Sequence, residues 1–216
     1  MARNFNARTR LIRKKTDLVC KLKIVHICYY DYLGGASIAA SRLHRALNNR
    51  PDIISEQWVQ VKRNGDYSEF VFCWDDIFSI IEIKAREFFS RFYRRFIRDN
   101  NPIMHSMGLL RSRWVHRINS SDADLVHLHW VGAEMMSLRD ISRISKPIVW
   151  TLHDMWLFSG AEHVPNHLRW KEGYTRANRA CCERGFDFNR WTWCRKQLVL
   201  TKPFHLIDPL RCVFKT

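Results

Sequence analysis

The chain has 216 residues, 46% hydrophobic and 13% aromatic, with a formal net charge of +15 at pH 7. That is enough apolar material for one large or two small domains, which excludes wholesale disorder, and no apolar run approaches the roughly 20 residues of a spanning helix. The charge predicts attraction to polyanions such as acidic membrane surfaces, nucleic acid or phosphorylated ligands, and seven scattered cysteines, never spaced CxxC, suit a reducing compartment better than a disulfide framework.

Residues 1–20 are rich in Arg and Lys, carry one acid and lack an apolar h-region, so they read as a basic flexible leader and not a secretory signal. Residues 21–30, KLKIVHICYY, are apolar enough for a central, buried strand. The strand runs into DYLGG, after which Ala36, Ala39, Ala40, Leu43 and Leu47 repeat at helical spacing until Asn48, Asn49 and Pro51. Residues 56–62 alternate as a second strand, and residues 63–72 read as turns. Residues 76–98 predict a long aromatic and basic helix with Phe88, Phe92 and Phe96 in one row, and residues 109–118 a further helix.

The most informative stretch is 124–160, DLVHLHWVGAEMMSLRDISRISKPIVWTLHDMWLFSG. Two short β-branched runs, 125–128 and 147–152, each end in a polar cluster containing His, and a connection of helix length separates them. Strand, crossover and strand make a parallel pair, and such sheets bind ligands at the carboxyl ends of their strands. His127, His129, Trp130, His153, Asp154 and Trp156 all fall at that edge. Residues 161–189 read as loop, 190–200 as a Trp-rich helix and 204–207 as a last short strand. The expected fold is α/β, a doubly wound Rossmann-like parallel sheet.

Each candidate site has a purely structural counterpart. Gly34-Gly35 lies between the first strand and helix, where bare backbone admits a ligand and the helix N-terminus favours an anion; glycine also serves there merely for φ > 0. His127 and His129 alternate along a strand and so share one face, as zinc-binding HxH pairs do, but a barrel hydrolase needs about 250 residues. The spacing therefore reads as His127 packed at the rim and His129 facing the cleft. His153 can donate to a phosphate or hydroxyl with Asp154 orienting it or accepting from hydroxyls, or it caps the turn. Cys181, Cys182, Cys194 and His167 match no zinc spacing. Between Lys84 and Arg98 stand six cations and one acid, the make-up of a helix that dips aromatic side chains into lipid while Arg91, Arg94, Arg95 and Arg98 meet acidic head groups; the alternative is a core-facing helix with a solvated basic side.

Together, KIVHICYYDYLGGASIAASRLHRAL, DADLVHLHWVG and KPIVWTLHDMWLFSGAEH resemble the N-terminal domain of GT-B retaining glycosyltransferases of family 4, in particular bacterial enzymes of surface-polysaccharide synthesis. The likeness covers residues 21–207 and implies the acceptor-side lobe of a two-lobed enzyme. Its full-length members transfer a sugar from a nucleotide sugar to a lipid-linked or saccharide acceptor. By resemblance, His153 and Asp154 are the catalytic candidates, and Gly34, Gly35, His129 and Trp130 bind substrate. No metal is implied, because backbone amides and protein cations stabilise the leaving diphosphate. No bound cofactor is implied either, and the nucleotide sugar is a substrate. Residues 208–216 stand as a short tail where relatives continue into the donor lobe with its E-x7-E motif, so the resemblance implies a separately encoded donor lobe as partner and leaves activity to the pair. It also implies a cytoplasmic protein, peripheral on the inner face of an anionic membrane. The rival reading is a non-enzymatic, basic Rossmann-like remnant that binds membranes or polyanions. No helix-turn-helix, RRM or finger pattern points to nucleic acid.

Overall fold

The computed structural model describes residues 21–62, 71–73, 76–98, 101–181 and 183–208. The basic leader, residues 63–70 and the tail beyond Asp208 lie outside the described residues. In chain order the elements are β1 (Leu22–Tyr30), α1 (Gly35–Asn48), β2 (Ile53–Val61), β3 (Val71–Cys73), α2 (Ile77–Arg94), α3 (Trp114–Asn119), β4 (Leu125–Leu128), α4 (Leu138–Ser142), β5 (Ile148–Thr151), α5 (Arg169–Glu172), α6 (Phe188–Val199) and β6 (His205–Ile207). The six strands form one parallel sheet in the order β3-β2-β1-β4-β5-β6. This is the strand order of a Rossmann-like α/β sheet, whose order reverses between β1 and β4.

The two faces of the sheet differ in chemistry. Val25, Ile27 and Tyr29 of β1, Val126 and Leu128 of β4, and Ile148 and Trp150 of β5 share one apolar face. There they pack with Trp58, Trp114, Ile118, Met135, Leu138 and Ile141 in the main core. The alternate residues on the other face include His26, Cys28, Ser55, His127 and Thr151, all buried. Helix α1 meets this polar face with small residues, Ser37, Ala40 and Ser41, and with His44, whose Nδ1 lies 2.9 Å from Ser55 Oγ.

Several boundaries depart from the sequence expectation for identifiable reasons. The helix expected over 109–118 is only Trp114–Asn119, because the chain before it wraps two buried carboxylates. Glu134 accepts from the backbone N–H groups of Met107, Gly108, Leu109 and Leu110, and Asp140 accepts from that of Ser112. The crossover between β4 and β5 contains just the five residues of α4, started by a Ser137/Asp140 capping box. At the end of the stretch 63–72 read as turns, Val71–Cys73 forms a third strand on β2, and a four-residue helix, α5, interrupts the long loop after β5.

Helix α2 ends at Arg94, not Arg98, and it docks the opposite way from an ordinary amphipathic helix. Its buried residues are Ser79 and Arg86. The Arg86 guanidinium donates to the carbonyls of Leu110, Arg111 and Glu134, and Tyr93 Oη donates to Glu134 Oε1 at 2.7 Å. Meanwhile Phe78, Phe88, Phe92 and Phe96 are 50–72% exposed. Arg91, Arg95 and Arg98 are exposed beside them, but Arg94 turns inward and donates to the carbonyls of Ile97 and Asn101. Arg94 therefore leaves the set of surface cations expected to face a membrane. No described helix is long and apolar enough to cross one.

Candidate functional site

The reversal of strand order between β1 and β4 opens a cleft of about 470 Å³ at the carboxyl edge of the sheet. Tyr30, Leu33, Gly34 and Gly35 line it from β1 and the β1–α1 turn, Trp130 from beyond β4, and His153 and Asp154 from beyond β5. Three separate sequence segments thus meet where an open parallel sheet binds its ligands.

Gly34 has φ 84° and ψ 162°, a conformation available essentially to glycine alone, and no atom of the described residues lies within 4 Å of where a Cβ would stand on Gly34 or Gly35. Helix α1 begins directly afterwards with no side-chain cap and no acid in its first turn. Its first N–H groups are left for an anion or a hydroxyl.

Behind the cleft stands a file of imidazoles. His26 pairs with His127 across β1 and β4, and the His127 and His129 rings stack at 4.2 Å. His26 Nδ1 is 3.1 Å from His129 Nε2, and His129 Nδ1 is 3.1 Å from His153 Nε2. His127 Nε2 sits 2.7 Å from Thr151 Oγ1. Burial, reinforced by the neighbouring His127 and His44, pushes His26 down to about 3. Burial and His153 push His127 down to about 4. His129 is lowered further, by burial first and then by the imidazoles on either side. His153 is also lowered by burial, which Asp154 partly opposes. The file is therefore neutral at pH 7.

These positions correct one sequence expectation. His129 is 3% exposed and does not line the cleft. Both of its ring nitrogens are held by other histidines, so of the two only His153 faces a ligand. His26 was missed, although it lies opposite His127 in the strand register; the signal was a histidine inside an otherwise apolar strand.

Asp154 belongs to a second network. Its Oδ2 accepts from Trp130 Nε1 at 2.8 Å and His163 Nδ1 at 2.6 Å, and its Oδ1 from the Trp156 N–H at 2.9 Å. Burial alone would raise this carboxyl, but those donors outweigh it and hold Asp154 below the usual range. His163 Nε2 lies 2.8 Å from Ser106 Oγ, which completes a Ser106–His163–Asp154 line with the spacing of a hydrolase triad. Ser106 is 1% exposed and already accepts the Ala133 N–H, so the line is a brace and no nucleophile. The brace orients Trp130 against the cleft and requires Gly132, where a Cβ would approach His163 to 2.6 Å. Sequence reasoning missed His163 because it lies nine residues past Asp154 in a stretch without periodicity.

Two clusters carry donor atoms of the kind that hold cations. His26, His127 and His129 bring a ring nitrogen each within 4.8 Å of one another, the raw material for a transition-metal site. The chain already uses His129 at both nitrogens and His127 Nε2 in hydrogen bonds, so a cation would have to break it. The vicinal Cys181 and Cys182 pair gains no support. Cys182 lies outside the described residues, and His167 instead pairs with Glu162 at 3.3 Å.

The cleft can thus offer bare backbone amides, one imidazole edge, and the aromatic surfaces of Trp130 and Tyr30. That inventory suits a ligand with hydroxyl or phosphate oxygens and some apolar surface. Compared with known proteins, the chain matches no family model, no curated protein and no solved structure.

Proposed function

We propose that this chain is the acceptor-side lobe of a family 4-like retaining glycosyltransferase. Such an enzyme transfers a sugar from a nucleotide sugar to a lipid-linked or saccharide acceptor in polysaccharide synthesis. The observation that carries the reading is the convergence of GG turn, HLHW strand end and TLHDMW strand end on one cleft at the switch point of the sheet. The three segments quoted for the resemblance are the ones that line it. In this reading His153 donates to the reacting sugar or phosphate, Trp130 and the glycine turn seat the acceptor, and a second lobe grips the nucleotide. Asp154 orients and does not itself take protons, since protein donors hold both its oxygens.

The test is transfer of labelled sugar from UDP- and GDP-sugars to undecaprenyl-phosphate-linked and free saccharide acceptors, with and without a donor lobe supplied separately. Transfer is expected only with the donor lobe. Calorimetry of this chain alone should show no binding of UDP- or GDP-sugars, and micromolar affinity would overturn the assignment of donor recognition to the second lobe. His153→Ala should cut turnover by about 10²-fold or more with the melting temperature nearly unchanged. Retained activity per folded molecule would remove His153 from the site.

A second reading, a basic membrane-binding module without catalysis, is favoured by one observation. Helix α2 leaves its phenylalanines exposed beside Arg91, Arg95 and Arg98. The readings differ over catalysis, but the membrane-facing flank itself fits both. A peripheral enzyme on the inner face of an anionic membrane would use this flank to reach a lipid-linked acceptor.

A further inference from the structure

We propose that His129 and His26 are positioning residues which hold His153 as the tautomer carrying its proton on Nδ1, so that the cleft is offered a hydrogen-bond donor. Imidazole chemistry sets the constraint. A neutral ring has one N–H and one bare nitrogen, so it donates once and accepts once. His129 lies 3.1 Å from His26 Nδ1 through Nε2, and 3.1 Å from His153 Nε2 through Nδ1. One of these contacts is a donation by His129 and the other an acceptance, so the three rings share one direction.

Only two directions exist. If His153 Nε2–H donates inward, His129 Nε2–H donates to His26 Nδ1, and the remaining proton of His26 sits on Nε2. Among the described residues that atom is buried with no hydrogen-bond partner, so this direction leaves an orphaned N–H in a residue 0% exposed. In the opposite direction His26 Nδ1–H donates to His129 and His129 Nδ1–H donates to His153 Nε2. His26 Nε2 is then a bare acceptor, and His153 keeps its single proton on Nδ1. Orphaned buried donors are rarer than under-satisfied acceptors, which selects the second direction. The burial that keeps His26 and His129 uncharged keeps the direction from being lost to protonation.

The consequence concerns ligand class. With Nε2 engaged, Nδ1 is the ring nitrogen of His153 without a partner among the described residues. As a fixed donor it recognises an oxygen that accepts, such as a phosphate oxygen or a sugar hydroxyl lone pair. It is not set to take a proton as a general base. This refines the role of His153 and rests on the reading of the cleft as a ligand site, but the tautomer itself is a property of the free chain.

The test is long-range proton–nitrogen correlation NMR on the full chain with nitrogen-15 histidine at pH 7.5, with His153→Gln used to assign the His153 signals. The expected spectrum shows His153 as Nδ1–H. His129→Leu should return it to Nε2–H, the form a free neutral imidazole prefers. His129→Asn, whose amide N–H stands where Nδ1–H stood, should restore Nδ1–H. His153 found as Nε2–H in the unaltered chain, or still wholly Nδ1–H in a folded His129→Leu, would overturn the proposal. If His129→Leu does not fold, the spectrum of the unaltered chain still decides. An Nδ1–H spectrum together with absence of sugar transfer would count against the glycosyltransferase and leave the histidine chain standing, and the reverse outcome would do the opposite.

Discussion

The rim at the ends of β1, β4 and β5 and the outer flank of α2 both break the usual partition of side chains, in opposite senses. At the rim, buried and half-buried imidazoles and the half-buried Asp154 carboxylate are satisfied through His26–His129–His153 and Ser106–His163–Asp154. On the flank, Arg86 and Tyr93 face inward to the Glu134 loop and Ser79 is buried, while phenylalanines face out. A buried polar group is tolerated only when its hydrogen bonds are made, which fixes geometry closely. An exposed apolar row is tolerated until something covers it, and marks a surface for association. In the proposed function the rim takes a small ligand and the flank a broad, weakly patterned partner.

Acid should break the rim before the flank. His26 and His127 titrate near 6.5 when unfolded but at about 3 and about 4 when folded. For a base with a depressed folded value, the unfolded chain binds more protons below 6.5, so stability is full above that pH and falls as pH drops toward the folded values. At pH 5 each costs roughly 2 kcal/mol, about 4 kcal/mol for the pair, with His129 adding in the same sense. His167 is raised by its hydrogen bond to Glu162 and contributes with the opposite sign. Urea denaturation at pH 7.5, 6 and 5 measures the sum; a midpoint independent of pH across that range would show that the imidazoles are not desolvated.

The anchorage of the flank is tested next. Glu134→Gln preserves volume but turns an N–H₂ toward backbone donors that a carboxylate oxygen now accepts. Whichever oxygen becomes the amide, two backbone N–H groups lose their partner, for a loss on the order of 3–4 kcal/mol by urea denaturation. A change under about 1 kcal/mol would mean that the 107–110 loop is not held by that carboxylate.

The outer side of the flank should respond in affinity and not in stability. Arg91, Arg95 and Arg98 each contribute about 1 kcal/mol near an anionic surface, so replacing all three with Gln should weaken binding to phosphatidylglycerol vesicles more than a hundredfold. Arg94→Gln alone should act instead on the melting temperature, since its donors serve the carbonyls of Ile97 and Asn101. Unchanged co-sedimentation of the triple variant would remove the membrane from the partners of this flank.

The smallest effect is expected at the glycine turn. Gly34→Ala meets open space but must hold φ 84°, a strain of about 1–2 kcal/mol. Gly35→Ala has no such φ and should leave stability unchanged while adding a methyl group to the cleft wall. Equal melting temperatures for the two variants would show that the turn relaxes freely.

Much of the frame was legible in the residues. Apolar runs bounded by polar clusters located β1, β4 and β5, helical spacing located α1, and the parallel pair pointed to the carboxyl edge where His153, Asp154, Trp130 and Gly34 meet at one cleft. These features are local, and hydrophobic periodicity reports them directly. Only tertiary structure decided how the histidines are shared out. Whether His129 faces a ligand or another imidazole depends on β1 lying beside β4, a contact between residues 103 positions apart. The orientation of α2 was equally hidden, because amphipathic spacing shows that a helix has two sides and not which side finds partners. Here Arg86 and Tyr93 outcompeted the phenylalanines for the interior, since the Glu134 loop presents carbonyls and a carboxylate that must be hydrogen-bonded once they are buried.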